Sequence, residues 1–183
     1  YALTSIFICI AIGGGIGASV IISHHFGAHN YGRMKTGIRT ALLSFLFISL
    51  ILGGIGLIFS QQIMEVLNTP ADAIDIAVTY LNIYFLGLPF LFMYNILSSM
   101  FNALGESRIP LYLLIFSSVL NIFLDLYMVA VLNLGVAGAA YATFIAQGIS
   151  AVFSLIIFVV TLQQLQGKAE GWFSKTEFSD MSR

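Results

Sequence analysis

The sequence predicts an all-α, polytopic integral membrane protein with five membrane-spanning helices, and three observations carry that reading. Hydrophobic residues make up 59% of the chain and charged residues only 8%, against about 25% charged residues in soluble domains. The mean hydropathy is +0.98. The apolar residues gather in five runs, each close to or above the roughly 20 residues that an α-helix needs to cross a bilayer. Soluble function is thereby excluded. A net charge of -1 offers no basic field for nucleic acid, and the single Cys9, inside an apolar run, builds neither a disulfide framework nor a metal site. The chain opens at Tyr1 within an apolar run, with no basic segment before it, so it does not read as a signal peptide. It is expected to be a piece of a longer protein.

The first span runs from about Leu3 to Ser23 and holds Gly13, Gly14, Gly15 and Gly17. The Gly13/Gly17 spacing is a small-xxx-small pattern and predicts close helix packing. The connection from Phe26 to Thr36 carries His29, Arg33 and Lys35 just after His24 and His25. Neighbouring histidines point to different sides of a helix, so this group lacks metal-ligand spacing and reads as a solvated membrane edge. The second span, from about Gly37 to Ser60, reads as scaffold. Glu65, Asp72 and Asp75 follow in a connection from Gln61 to Asp75 that has no Lys or Arg, broken by Asn68-Thr69-Pro70.

In the third span, from about Ile76 to Leu104, helical spacing puts Tyr80, Tyr84, Gly87, Leu91, Asn95, Ser98 and Asn102 on one face. That face is polar or aromatic along most of its length and is predicted to line a cavity or another helix. Pro89 lacks an N–H and crowds the carbonyl of Phe85, which predicts a kink near mid-membrane, where transporters often break their helices. A tight turn from Gly105 to Ile109 leads to Pro110 in the first turn of the fourth span.

The fourth span, to about Val131, contains Asn121-Ile122-Phe123-Leu124-Asp125. A carboxylate at the centre of a membrane helix costs roughly 2.5 to 3.5 kcal/mol on insertion scales, so it normally faces a protein interior and marks an ion or substrate route. Asp125 is the leading functional candidate. Asn121 lies one turn before it and Ser118 three residues earlier, which makes a polar stripe. Leu132-Asn133-Leu134 is a short link to the fifth span, from about Gly135 to Leu162. There Gly138, Ala142 and Ala146 form a smooth face for a neighbouring helix. The fourth span is the expected neighbour, and Thr143 then sits at a depth from which its hydroxyl reaches the stripe. The polar tail from Gln163 to Arg183 offers Trp172 and Phe173 as interfacial anchors.

Charge sets the orientation. All seven basic residues, Arg33, Lys35, Arg39, Arg108, Lys168, Lys175 and Arg183, fall after span one, after span three and in the tail. By the positive-inside rule that side is cytoplasmic. Five alternating spans satisfy it.

Gly105-Glu106-Ser107-Arg108, Asn121-x-x-x-Asp125, the run Leu134 to Thr143 (Leu-Gly-Val-Ala-Gly-Ala-Ala-Tyr-Ala-Thr) and the early Gly-Arg-Met-Lys loop come in an order that resembles the multidrug and toxic compound extrusion family. The resemblance covers nearly the whole chain. It implies a twelve-helix transporter of two six-helix lobes, with residues 1–162 as helices two to six of the amino-terminal lobe. Residues 163–183 would begin the cytoplasmic linker to the second lobe of the same polypeptide. It further implies a plasma-membrane antiporter, with no enzymatic activity, that exports organic cations or amphiphilic drugs in exchange for protons or sodium ions by alternating access.

The family's amino-lobe cation site falls by alignment on Asn121, Asp125, Thr143 and Tyr80, while its first-helix aspartate is absent from this chain. Many members place a proline after the aspartate, where this chain has Leu126. Asp125 and Asn121, with Thr143, offer hard oxygen ligands to a sodium ion; equally, desolvation favours the protonated form of a carboxylate. The choice of ion stays open. Tyr84, Asn95 and Asn102 are expected in the substrate cavity, where aromatic rings hold a cationic drug by cation–π attraction. A lipid-linked oligosaccharide flippase of the same superfamily is an alternative, but it should carry several Arg or Lys in its cavity, and the spans here have none beyond Arg39 at the start of the second. A channel is the other alternative. No cofactor is expected beyond the coupling ion.

Overall fold

The computed structural model describes residues 2–67, 70, 72–164 and 173–181. Five long helices form the body: α1 (Ala2–Gly27), α2 (Tyr31–Val66), α3 (Ile74–Ala103), α4 (Arg108–Asp125) and α5 (Gly135–Gln164). Each is long and apolar enough to cross a membrane, α4 together with the turn that extends it to Val131. A short α6 (Lys175–Met181) follows. The all-α, five-span architecture predicted from the apolar runs is the one observed.

The helices outrun the apolar segments that predicted them. The first connection, expected from Phe26 to Thr36, shrinks to three residues, Ala28 to Asn30. Polar residues at the membrane edge still satisfy helical geometry, and two local devices close the turn. His29 adopts a left-handed conformation (φ 53°), and the Asn30 side chain caps α2 by accepting the Arg33 N–H at 3.3 Å. At the opposite end α2 continues to Val66; Asn68 and Thr69 of the expected breaker lie outside the described residues, as does Trp172.

Around α3 pack α1, α2 and α5. At the end bearing the basic residues, Ile22, Met34, Ile38, Ile96, Leu97, Met100, Phe101 and Phe158 form one core cluster. At the other end Ala11, Leu81, Phe85, Leu88 and Phe92 form a second. Outward-facing residues such as Phe47 and Ile58 are 65% and 72% exposed. An apolar rim of this kind suits lipid rather than water.

Glycines decide the closest approaches, and of the pair the spacing singled out only Gly17 makes one. Gly13 has nothing within 4 Å of a built Cβ, and Gly17 faces the backbone of Met181 on α6. The other helix contacts of α1 run through Gly14, against the Phe45 ring, and Gly15, against Ser99. The four glycines spread over about 200° of the helix circumference, so which of them meets a neighbour is set by the rotation of α1. The predicted fit of α4 to the small face of α5 holds, with Ala142 and Ala146 fully buried.

α3 remains one helix through Pro89. A departure from α-helical hydrogen bonding falls in the fourth span, where α4 passes at Asp125 into a π-helical turn, Leu126–Val131. Its hydrogen bonds reach further back than in an α-helix, as in Leu132 N–H to the Tyr127 carbonyl at 3.1 Å. The wider turn packs against Gly138, where a Cβ would lie 3.1 Å from the Met128 carbonyl oxygen and 3.0 Å from the Leu134 Cβ. A Cβ at this position would require its neighbours to give by a few tenths of an ångström, so glycine favours the close approach.

Candidate functional site

Asn121 and Asp125 lie one turn apart at the end of α4, so they share the face turned to α5. From that face the Asn121 amide Nδ2 donates to Thr143 Oγ1 at 3.4 Å, and the Thr143 hydroxyl donates to the Ala139 carbonyl at 3.0 Å. Thr143 therefore links α4 to the backbone of α5. Ser118 is exposed and does not join them.

Asp125 is half-buried, and its Oδ1 is sealed from solvent with no hydrogen-bond partner. Leaving a buried polar oxygen unpaired costs about 1 to 3 kcal/mol, more for a charged group. Such an atom is poised to accept a proton or a cation. Tyr80, Tyr84 and Gly87 of α3 and Thr143 and Gln147 of α5 line a narrow slot with about 10 Å³ open to water. That is room for about one water molecule. Tyr80 and Thr143 thus line the same slot.

The tyrosines differ in what they do. Tyr84 also crosses to α1, donating its hydroxyl to the Thr4 carbonyl at 3.4 Å, and its ring lies 6.4 Å from that of Phe7. Asn95 and Asn102 are not brought to the slot. Asn95 donates to its own Leu91 carbonyl at 2.8 Å, and Asn102 is exposed at the end of α3. Gln147 is the residue that sequence reasoning missed; its position one turn after Thr143 on α5 was the available signal. Gly87 lies opposite it and beside Phe144, whose ring a Cβ there would approach to 3.3 Å. Among the described residues no group of three or more His, Cys, Asp or Glu is gathered to hold a metal.

Five apolar spans, a carboxylate inside one of them and a polar slot between α3 and α5 define a polytopic integral membrane protein with polar groups set at membrane depth. The MatE family model matches residues 1–127, and the chain belongs to that family. Among curated relatives, the probable multidrug resistance protein YpnP of Bacillus subtilis is 36% identical over 135 residues, 74% of this chain and 30% of that protein. The probable multidrug resistance protein YoeA of the same organism is 33% identical over 168 residues, 90% of this chain and 35% of that protein. The multidrug export protein MepA of Staphylococcus aureus is 31% identical over 145 residues, 79% of this chain and 32% of that protein. The chain thus spans about a third of the length of these relatives.

The fold is also that of solved MATE structures. A crystal structure of MATE in the bent conformation superposes with a TM-score of 0.88 at 19% identity, over 97% of this chain and 40% of that one. A MOP superfamily transporter from Pyrococcus furiosus gives 0.86 at 21% identity, over 96% of this chain and 39% of that one.

Proposed function

We propose that this chain is most of the amino-terminal lobe of a multidrug antiporter that exports organic cations or amphiphilic drugs, and that Asp125 is its coupling carboxylate. The observation that carries the proposal is the buried, unpartnered Asp125 Oδ1, one helical turn from the Asn121–Thr143 hydrogen bond. A proton would satisfy that oxygen directly. A sodium ion would draw on Asp125, Asn121 and Thr143 as hard oxygen donors. Either way, the filled site removes the penalty of an unpaired buried charge, so occupancy alters how α4 sits on α5.

In this reading Tyr80 borders the cation site and the Tyr84 ring lines the drug path, with substrate held between this lobe and a second lobe of the same polypeptide. Residues 163–183 begin the linker between them. The relatives' names support drug export: YpnP and YoeA are described as probable multidrug resistance proteins and MepA as a multidrug export protein.

The test is Asp125→Asn in the full-length transporter, reconstituted in vesicles with an imposed proton or sodium gradient. Gradient-driven export should fall by about 100-fold or more, the scale of removing a proton-transfer group, while drug still binds. Normal gradient-driven export by the variant overturns the assignment.

A further inference from the structure

Most hydroxyls on these helices bond back to a carbonyl of their own helix. Ser44 donates to Thr40 O at 2.7 Å, Ser49 to Leu46 O at 2.8 Å, Ser60 to Leu57 O at 3.3 Å and Thr161 to Ile157 O at 2.9 Å. Three serines break that habit. The Oγ atoms of Ser150 and Ser154, 1% and 0% exposed, are sealed and have no partner, and that of Ser98 is sealed with the Tyr94 hydroxyl beside it.

These three are not scattered. At 3.6 residues per turn, Thr143, Gln147, Ser150 and Ser154 fall within an arc of about 60° on α5. α3 and α5 run in the same direction, with Phe90 beside Gly148 and the Phe101 and Phe158 rings 5.0 Å apart. That register sets Ser98 of α3 at the level of Ser154. The row covers about 16 Å of helix rise, from the slot at Thr143 toward the end of the bundle that carries Arg33, Lys35, Arg39 and Arg108.

We infer that Gln147, Ser150 and Ser154, joined by Ser98, form a polar path along which the coupling ion travels between the Asp125 site and the basic face of the lobe. The inference rests on the coupling role proposed for Asp125. Unpaired hydroxyls in an apolar core are unfavourable unless water or an ion satisfies them, and a row of them at helical spacing offers successive acceptors in single file. Their neighbours Ala146, Ala151 and Phe158 are buried and apolar, which keeps the path narrow.

The experiment uses the full-length transporter in a cysteine-free background, with Cys9→Ser in this chain. In the double variant Ser150→Ala/Ser154→Ala, gradient-driven export should drop about tenfold, the scale of losing one or two hydrogen bonds, with drug affinity unchanged. Ser150→Thr/Ser154→Thr, which keeps both hydroxyls, should restore it. Independently, Ser150→Cys and Ser154→Cys should react with aminoethyl methanethiosulfonate applied from the basic side, whereas Ser49→Cys should not. Wild-type export by the double alanine variant, or cysteines at 150 and 154 as inert as that at 49, overturns the path. If the alanine variant does not fold, the cysteine comparison decides. Asp125→Asn separates the two proposals: loss of coupling there, with silent serine variants, removes the path and leaves the carboxylate's role standing.

Discussion

α3 is walled in by α1, α2 and α5, and 39% of its most apolar stretch is buried inside the bundle, against 0% for α4 with its π-helical extension. Their compositions do not foretell this, because both are predominantly apolar. The difference lies in neighbours: α4 rests mainly on α5, with Leu113 as its one buried residue. The better packed helix holds the lobe together. The less packed one carries Asp125, the unpaired carboxylate oxygen and a π-helical turn. Elements that move in a working cycle come from the less stable part of a fold, since few contacts have to be broken.

Four substitutions test that division, and the largest effect should fall on α3. Phe101 is fully buried with its ring 5.0 Å from that of Phe158. Phe101→Ala should destabilise the lobe by roughly 3 to 5 kcal/mol, read as a lower unfolding midpoint in detergent. A change below 1 kcal/mol would show that α3 is not the structural centre. Next comes Gly138→Ala, whose new Cβ presses on the Met128 carbonyl and Leu134. Overpacking of this kind costs about 1 to 3 kcal/mol, but here it should show chiefly as impaired export, because it moves the turn beside Asp125. Full export with an unchanged melting point counts against a tight α4–α5 seam.

A smaller effect is expected at Thr143. Thr143→Val removes the acceptor for Asn121 and should weaken dependence on the coupling ion by about fivefold, near 1 kcal/mol; Thr143→Ser should not. Ion titration of export distinguishes the two, and equal behaviour of both variants would detach Thr143 from the site. Smallest of all is Gly54→Ala on α2, where nothing lies within 4 Å of a Cβ. It should leave export alone and raise stability by no more than about 1 kcal/mol. A loss of stability would mean that something covers that face.

Much of the fold was legible because membrane insertion is nearly additive along a chain. Five apolar runs became five spans, and the cluster of basic residues at one end agrees with their alternation. Their ends were less legible: Asn30 and His29 extend regular structure through residues that a hydropathy reading assigns to a loop. The candidate site was legible where residues share a helix face, as Asn121 and Asp125 do, or where a short link forces adjacency, as between α4 and α5. Asn95 and Asn102 share the polar face of α3 by spacing, yet neither lines the slot: Asn95 bonds to its own backbone and Asn102 is exposed at the helix end. Spacing fixes a direction from the helix axis, but it does not say whether a side chain bonds to its own backbone.

The sequence by itself determined that this is an all-α membrane protein, how its spans alternate, and that Asp125 is its costliest residue to bury. Those are properties of local composition and transfer free energy. Only the tertiary structure decided that Gly14, Gly15 and Gly17, but not Gly13, bring α1 to its neighbouring helices, and that Gln147 joins the slot. It alone placed a π-helical turn, seated on Gly138, directly after Asp125, and left Asp125 Oδ1 and the hydroxyls of Ser150 and Ser154 unpaired. These depend on how each helix is rotated against the next, and that rotation is set by packing across the lobe, which no single span encodes.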